Sequence, residues 1–123
     1  MTTYNIGVEA TMDIIGGKWK TIILCHLRHG MMRTGELRRA IPAITQKMLT
    51  QQLRELENDG IVHREVYEQV PPRVEYSLTE RGESLNQILS MLCTWGEENI
   101  DERRACGEDI QLVHRDDVAL APR

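Results

Sequence analysis

The chain has 123 residues, of which 41% are hydrophobic and 28% are charged. A chain of this length and composition buries a core without disulfides or a metal, which excludes the miniproteins that need such cross-links. It contains neither an apolar run of the ~18 residues that cross a membrane nor a basic and apolar leader. The sequence therefore predicts one cytoplasmic domain over residues 1–123, with no membrane partner.

Charge is distributed unevenly along the chain. The net charge is −4, yet residues 18–54 hold eight basic residues and one acidic residue. From residue 79 onward, ten acidic residues accompany five basic ones. A basic region on an acidic chain is typical of a surface that binds a polyanion, although surface charges also cluster by chance.

Helical spacing of apolar residues predicts four helices in the first half of the chain. Gly16 and Gly17 end the first helix, Gly30 follows the second, and Pro42 closes the third. The four predicted helices cover residues 6–15, about 18–28, about 34–40 and 46–59.

The fourth helix has the clearest pattern. Thr45 is a good N-cap residue, and Gly60 ends the helical run. Leu49, Leu53 and Leu56 recur at helical spacing and predict one buried face. The opposite face and its edge carry the polar residues Gln46, Lys47, Thr50, Gln51, Arg54 and Asn58.

After Gly60 the period changes from helical to alternating, which predicts two antiparallel strands at residues 62–67 and 74–78. The hairpin loop between them contains two prolines and ends at Arg73. Thr79 then caps a predicted fifth helix that runs to about Arg104. The tail from Cys106 onward is either a short extra helix or frayed. The apolar stripe of the fifth helix consists of Leu85, Ile88, Leu89, Leu92 and Trp95.

This order of elements suits duplex DNA. The fold class is mainly α with a small antiparallel β-hairpin, in which helices two to four form a helix-turn-helix ahead of a two-stranded wing. A helix fits the major groove, and the fourth helix offers amides suited to adenine and cations suited to guanine or phosphate. Polar helix faces are usually only solvated, and proline-containing loops are usually only loops. DNA binding is favoured because the basic stretch, the outward amides and the basic wing belong to one contiguous architecture.

Four segments resemble the HxlR-type regulators, a MarR-like winged-helix family. Residues 8–20 (VEATMDIIGGKWK) and 34–39 (TGELRR) are similar to the family's opening signature and its continuation. Residues 44–57 (ITQKMLTQQLRELE) resemble its recognition helix, and residues 70–79 (VPPRVEYSLT) resemble its wing. The resemblance covers about residues 8–95, and residues 105–123 form a C-terminal tail.

The resemblance implies a homodimeric DNA-binding regulator of transcription. The sequence does not distinguish an activator from a repressor, and repression by occlusion is the simpler default; no cofactor is expected. Its terminal helices are expected to form the dimer interface, in which the stripe Leu85, Ile88, Leu89, Leu92 and Trp95 is buried against the partner. The candidate DNA-binding residues are Lys18, Arg38, Arg39, Thr45, Gln46, Lys47, Thr50, Gln51, Arg54 and Arg73. Of these, Lys47, Gln51 and Arg54 are expected at base edges or nearby phosphates, Lys18, Arg38 and Arg39 at phosphates, and Arg73 at the wing.

The thiols depart from the family pattern. Many relatives place a cysteine and a proline just before the Val-Glu pair of the first helix, where this chain has Ile6 and Gly7 ahead of Val8 and Glu9. The N-terminal sensing mechanism of those relatives therefore does not carry over to this chain. A small-molecule or redox effector is left open.

Cys106 is the best candidate for a reactive thiol, because it follows two arginines that favour a thiolate and lies in a tail that is expected to be exposed. The nearby Glu108 and Asp109 act in the opposite direction. Cys25 and Cys93 are more typical of packing residues.

Two other function classes are less well supported. The odd number of cysteines and the scattered histidines predict neither a disulfide framework nor a metal site. No nucleophile, phosphate-loop or paired-acid motif indicates an enzyme. The remaining alternative is a winged-helix module that binds another protein through its acidic C-terminal helix, without a specific DNA complex.

Overall fold

A computed structural model of the protein describes residues 1–115. Contacts divide the chain into two compact units, residues 1–84 and the residues from 85 onward. The N-terminal unit holds five helices, three strands and the hairpin loop, and the C-terminal unit holds one long helix and the segment after it. Among the described helices, none is both long and apolar enough to span a bilayer.

The order of elements agrees with the mainly helical prediction. The helices of the N-terminal unit are α1 (Gly7–Ile15), α2 (Lys20–Leu27), α3 (Thr34–Ala40), α4 (Gln46–Asn58) and α5 (Glu80–Glu83), and its strands are β1 (Met32–Arg33), β2 (Val62–Tyr67) and β3 (Arg73–Leu78). The helix of the C-terminal unit is α6 (Asn86–Ala105). The predicted ends of the first, third and fourth helices lie within one residue of the observed ends.

The predicted hairpin forms, but it belongs to a three-stranded antiparallel sheet of order β1-β3-β2. Val62 pairs with Leu78 and Tyr67 with Arg73, so β2 and β3 match along their whole length. The two residues of β1 pair with β3, with Met32 opposite Tyr76. A strand of two residues shows no alternation, which is why the sequence pattern did not reveal it.

Aliphatic side chains fill most of the centre of the N-terminal unit. The side chains with essentially no exposed surface are Ile23, Leu24, Leu27, Leu37, Leu49, Leu53, Leu56 and Val62. Leu49, Leu53 and Leu56 are the buried face predicted for α4. Burial of such side chains stabilises the fold by about 1.5–3 kcal/mol each. Because this face is buried, the polar face of α4 points outward.

Local interactions begin and end α4 as predicted. The Thr45 hydroxyl accepts a hydrogen bond from the Met48 amide at 3.0 Å, which satisfies one of the amides at the helix start. Gly60 has a φ of 75°, a left-handed conformation in which glycine has no Cβ penalty. The chain then turns directly into β2.

The prediction of one continuous helix from residue 79 to about 104 is wrong. Thr79 does cap a helix, since its hydroxyl accepts from the Gly82 amide at 3.0 Å, but α5 has only four residues. The Ser84 hydroxyl donates to the Arg81 carbonyl, which the amide of Leu85 would use in a continuous helix. The helix is interrupted at residues 84–85, and α6 begins at Asn86.

The segment after α6 folds back on the last turns of that helix. Arg103 donates to the Glu108 carboxylate at 2.9 Å, and Arg104 donates to the Ile110 carbonyl at 2.8 Å. Arg115 forms a two-pronged ion pair with Asp101, at 3.0 and 3.1 Å. Residues 106–115 thus contain no extra helix, and the rest of the predicted tail lies outside the described residues.

Candidate nucleic-acid interface

The outer face of α4 forms a shallow groove on the N-terminal unit. All of the polar residues predicted for this face are exposed. The groove is lined by Lys47, Thr50, Gln51, Arg54, Glu55 and Asn58. Two cations and two amides thus lie along one helix, which is the set of groups that reads base edges in the major groove.

A chain of hydrogen bonds connects α3 to the start of α4. Arg38 on α3 donates from Nη1 to Gln46 Oε1 at 2.9 Å. Gln46 in turn donates from Nε2 to Thr50 Oγ1 at 3.2 Å. Arg39 lies on the same short helix and is exposed. Its Nη1 lies beside Gly35, 3.5 Å from the point that a Cβ would occupy on that glycine. The structure therefore brings Arg38, Gln46 and Thr50 together, as the sequence alone could not establish.

A second set of contacts, which sequence reasoning missed, holds the middle of α4. Lys20 on α2 is only 9% exposed, and its Nζ lies 2.7 Å from Glu55 Oε1. The other carboxylate oxygen of Glu55 accepts from Gln51 Nε2 at 3.2 Å. The hydrogen bond from Lys20 is the main reason that the pKa of Glu55 is lowered, with the Gln51 hydrogen bond adding to it. Lys20 was one of several basic residues predicted on the second helix, and nothing in the sequence indicated its partner.

Arg73 occupies the first position of β3, at the base of the hairpin loop. Its guanidinium lies 4.3 Å from the centre of the Tyr67 ring, and its Nε lies 3.2 Å from Glu75 Oε2. The side chain is about two-thirds buried and lies along the wing. At the loop, Val70 is fully exposed. The cleft beside the wing is lined by Arg33, Thr34, Gly35, Gln69, Pro71, Pro72, Arg73 and Val74.

Two further candidates have local roles in the structure. The Lys18 ammonium lies 4.7 Å from the centre of the Trp19 ring, two residues ahead of α2, and the side chain is exposed. The Thr45 hydroxyl is engaged as the N-cap of α4. Lys18 and Thr45 remain accessible, yet neither shares in the contacts that join Arg38, Gln46 and Thr50.

The predicted apolar stripe on the C-terminal unit is only partly exposed. Ile88, Leu92 and Trp95 are 45%, 52% and 69% exposed. Leu89 has no exposed surface within the chain, so it has none to bury against a partner, and Leu85 is half-buried. Met91, which sequence reasoning did not include, is 65% exposed. In the N-terminal unit, Ile6, Val8 and Met12 on or next to α1 are also about half exposed or more.

The two arginines that precede Cys106 contact other groups. The thiol is exposed at the end of α6, as predicted from its place in the tail. Its two arginine neighbours are engaged elsewhere, Arg103 with Glu108 and Arg104 with the Ile110 carbonyl. The expectation that these arginines favour a thiolate stays a prediction. Within residues 1–115, no three histidine, cysteine or acidic side chains are grouped as a metal site would require.

Comparison with known proteins shows that the chain matches a protein family. The family model described as HxlR-like helix-turn-helix matches residues 14–104. The chain is 66% identical over 110 residues to the uncharacterized HTH-type transcriptional regulator YtcD of Bacillus subtilis (strain 168), covering 89% of this chain and 86% of that one.

Solved structures agree with the family match. The oxidized form of the redox regulator HypR is 55% identical, with a TM-score of 0.73 over 84% of this chain and 98% of that chain. A putative MarR-family transcriptional regulator from Porphyromonas gingivalis W83 is 39% identical, with a TM-score of 0.75 over 80% of this chain and 97% of that chain. These relatives are transcriptional regulators rather than enzymes, and the predicted winged-helix fold is confirmed. The chain belongs to the HxlR-like helix-turn-helix family, and it is a transcriptional regulator with a helix-turn-helix DNA-binding domain.

Proposed function

We propose that the protein acts in the cytoplasm as a homodimeric repressor that binds an inverted-repeat operator in duplex DNA. The observation that carries the proposal is the polar surface of α3 and α4. Arg38, Gln46 and Thr50 are joined by hydrogen bonds, and Gln51 and Arg54 continue the same surface along α4. Side chains held in this way are ready to meet base edges with little loss of conformational freedom.

The DNA contacts divide into two kinds. Lys47, Gln51 and Arg54 line the groove on the outer face of α4, which enters the major groove and reads bases. Arg38 and Arg39 lie on α3 and contact phosphates, which fixes the register of the helix on the duplex. Arg73 stiffens the wing through Tyr67 and Glu75 while its remaining exposed edge contacts the backbone.

Dimerisation rests on the apolar residues that the chain leaves exposed. Ile88, Met91, Leu92 and Trp95 lie at helical spacing on α6 and are all at least 45% exposed. Large exposed apolar patches mark interaction surfaces. A symmetric dimer presents two recognition helices about one DNA turn apart, roughly 34 Å, and so reads an inverted repeat. An operator that overlaps a promoter is then occluded, which represses transcription.

An oxidant is the effector that we propose to test first, because the relative HypR is named a redox regulator. Cys106 is the exposed thiol in this chain, whereas Cys25 and Cys93 are half-buried. Oxidation of Cys106 is expected to change DNA affinity. Binding of wild-type protein and of Cys106→Ser would be compared before and after hydrogen peroxide. An equal response of the two proteins would eliminate Cys106 as the sensor.

The experiment that tests the main proposal is selection of binders from a random duplex library at near-physiological salt. We expect an inverted repeat with half-sites about one helical turn apart. The double variant Gln51→Ala/Arg54→Ala is the matched control, because it keeps the buried leucine face and loses base-reading groups. If the wild-type protein enriches no sequence and binds DNA only weakly and in a salt-sensitive way, the protein-interaction module becomes the better reading.

A further inference from the structure

Two glutamines on α4 have neighbours that dictate which way each amide points. An arginine can only donate hydrogen bonds, so Gln46 must turn its Oε1 toward Arg38. An ionised carboxylate can only accept, so Gln51 must turn its Nε2 toward Glu55. The orientation of each amide therefore follows from the chemistry of its partner.

Glu55 can hold Gln51 only while an oxygen of its side chain stays in place. Lys20 holds that side chain, because its largely buried ammonium lies 2.7 Å from one carboxylate oxygen and leaves the other for Gln51. The pair joins α2 to α4 within the N-terminal unit. The lowered pKa of Glu55 agrees with a carboxylate that carries its charge at neutral pH. Lys20 also neutralises the charge of Glu55, which lines the groove that approaches DNA phosphates in the proposed function.

We infer that Lys20 and Glu55 are positioning residues that lock Gln51 in an orientation selective for adenine. This inference rests on the proposed function, in which α4 reads the major groove. With one N–H of Gln51 bound to Glu55, the second N–H and the Oε1 remain for DNA. Adenine presents an acceptor at N7 and a donor at N6, which these two groups match.

The hydrogen bond that holds Gln51 to Glu55 also discriminates against guanine. Guanine presents two acceptors, O6 and N7, in the major groove. A freely rotating glutamine can turn its amide to offer both N–H groups to guanine. A locked Gln51 cannot, because one N–H is held by Glu55 and its Oε1 would then face an acceptor. Specificity at this base pair is therefore determined by two side chains that need not touch the DNA.

The test is selection from the random duplex library with five proteins. Wild type defines the operator, and Gln51→Ala identifies the base pair that Gln51 reads, because that position becomes degenerate. Two double variants form a matched pair, Lys20→Met/Glu55→Ala and Lys20→Met/Glu55→Gln. Neither leaves a buried charge unpaired, and only the second keeps a carbonyl acceptor for Gln51. Lys20→Met alone shows the effect of a carboxylate without its partner, and circular dichroism checks that each variant is folded.

We expect wild type to prefer adenine over guanine by about tenfold or more at the position assigned to Gln51, the range of a good bidentate contact. Lys20→Met/Glu55→Ala should reduce this preference to roughly threefold or less, and Lys20→Met/Glu55→Gln should recover part of it, because a carbonyl acceptor remains at residue 55. Lys20→Met alone should weaken binding to all sequences and also lower the adenine preference, because Glu55 is no longer held in place. A purely structural role for the pair would lower affinity without changing the base preference.

Three results would overturn the inference. The first is that the position assigned to Gln51 selects a base other than adenine, and the second is that Lys20→Met/Glu55→Ala keeps the wild-type preference. Either result leaves the operator intact and rejects only the lock. If the wild-type protein enriches no sequence at all, the proposed function fails, and the lock on Gln51 fails with it.

Discussion

At the scale of single residues, the hydrogen-bond partners of the side chains define the candidate DNA-binding surface as much as the exposure of those side chains does. Gln46 and Gln51 lie on one helix, yet one is held by a donor and the other by an acceptor. Arg54 and Arg39 are exposed cations with different expected targets, a base edge and a phosphate. This difference leads to a direct prediction.

Arg54→Ala and Arg39→Ala should weaken DNA binding in different ways. Loss of a base contact at Arg54 should cost about 1–3 kcal/mol at the operator and relax specificity at one position. Loss of a phosphate contact at Arg39 should weaken all sequences alike and reduce the slope of log affinity against log salt by about 1. Fluorescence anisotropy on operator and scrambled duplexes over a range of salt measures both effects.

The matched control is Arg103→Ala, which makes the same change in net charge outside the candidate surface and loses a pair with Glu108. It should leave operator affinity nearly unchanged. If all three variants weakened binding equally, the effect would be one of overall charge, and the assignment of Arg54 and Arg39 would be wrong.

At the scale of secondary-structure elements, capping and close packing position the DNA-binding surface. The Thr45 cap determines where α4 begins, and Gly60 determines where it ends. Near the end of the unit, α5 is seated on the start of β2, because the Thr79 amide donates to the Ile61 carbonyl at 3.0 Å. The start of α4 depends on one small side chain, the Thr45 hydroxyl, and its end depends on the absence of a side chain at Gly60.

Thr45→Ala removes the hydroxyl that caps α4. The variant should lose about 1 kcal/mol of unfolding free energy, because the Met48 amide loses its partner. Thr45→Ser keeps the hydroxyl and is the control. Urea denaturation followed by circular dichroism compares the two. Equal stability of wild type and Thr45→Ala would show that the cap contributes nothing.

Gly82→Ala should destabilise the fold by roughly 1–3 kcal/mol through overpacking. A Cβ at this position would lie 2.2 Å from the Ile61 carbonyl oxygen, so α5 and β2 would have to separate. Gly96→Ala is the matched control within α6, where a Cβ meets open space. It should be neutral or stabilise the helix by up to about 1 kcal/mol. Thermal unfolding distinguishes them, and a neutral Gly82→Ala would contradict the tight junction.

At the scale of the whole molecule, charge and apolar surface are separated along the chain. The basic residues cluster between residues 18 and 54, and acidic residues dominate from residue 79 onward. Exposed apolar side chains occur on α1 in one unit and on α6 in the other. The sequence prediction of one domain over residues 1–123 stays a prediction beside the two compact units. The apolar residues carry the proposed dimer interface.

Trp95→Glu should convert the proposed dimer into a monomer. Trp95 is 69% exposed in the chain, so the substitution leaves the core intact but places a charge in an apolar interface. Operator affinity should fall about 100-fold or more, because two linked half-site contacts become independent. Analytical ultracentrifugation measures the mass, and anisotropy measures the affinity. Met31→Glu, at an exposed apolar residue of the other unit, is the control. A wild-type protein that sediments as a monomer would contradict the dimer itself.

The sequence by itself determined the elements whose signals are local. Thr45, the leucines of α4 and Gly60 lie within 16 residues of one another, and they define a helix, its buried face and its ends. Alternation located β2 and β3, although only Val62 of β2 is buried. The residues of the outer face of α4 followed from helical geometry, because a buried leucine face requires a polar one opposite.

The tertiary structure alone decided what depends on residues far apart in the chain. The pairing of β1 with β3, the burial of Leu89 and the position of Arg73 against the Tyr67 ring have no periodic signal. The ion pair of Lys20 with Glu55 joins residues 35 positions apart, on two helices whose contact no local pattern specifies. Secondary structure follows from near neighbours along the chain, whereas the contact of Lys20 with Glu55 depends on the packing of α2 against α4.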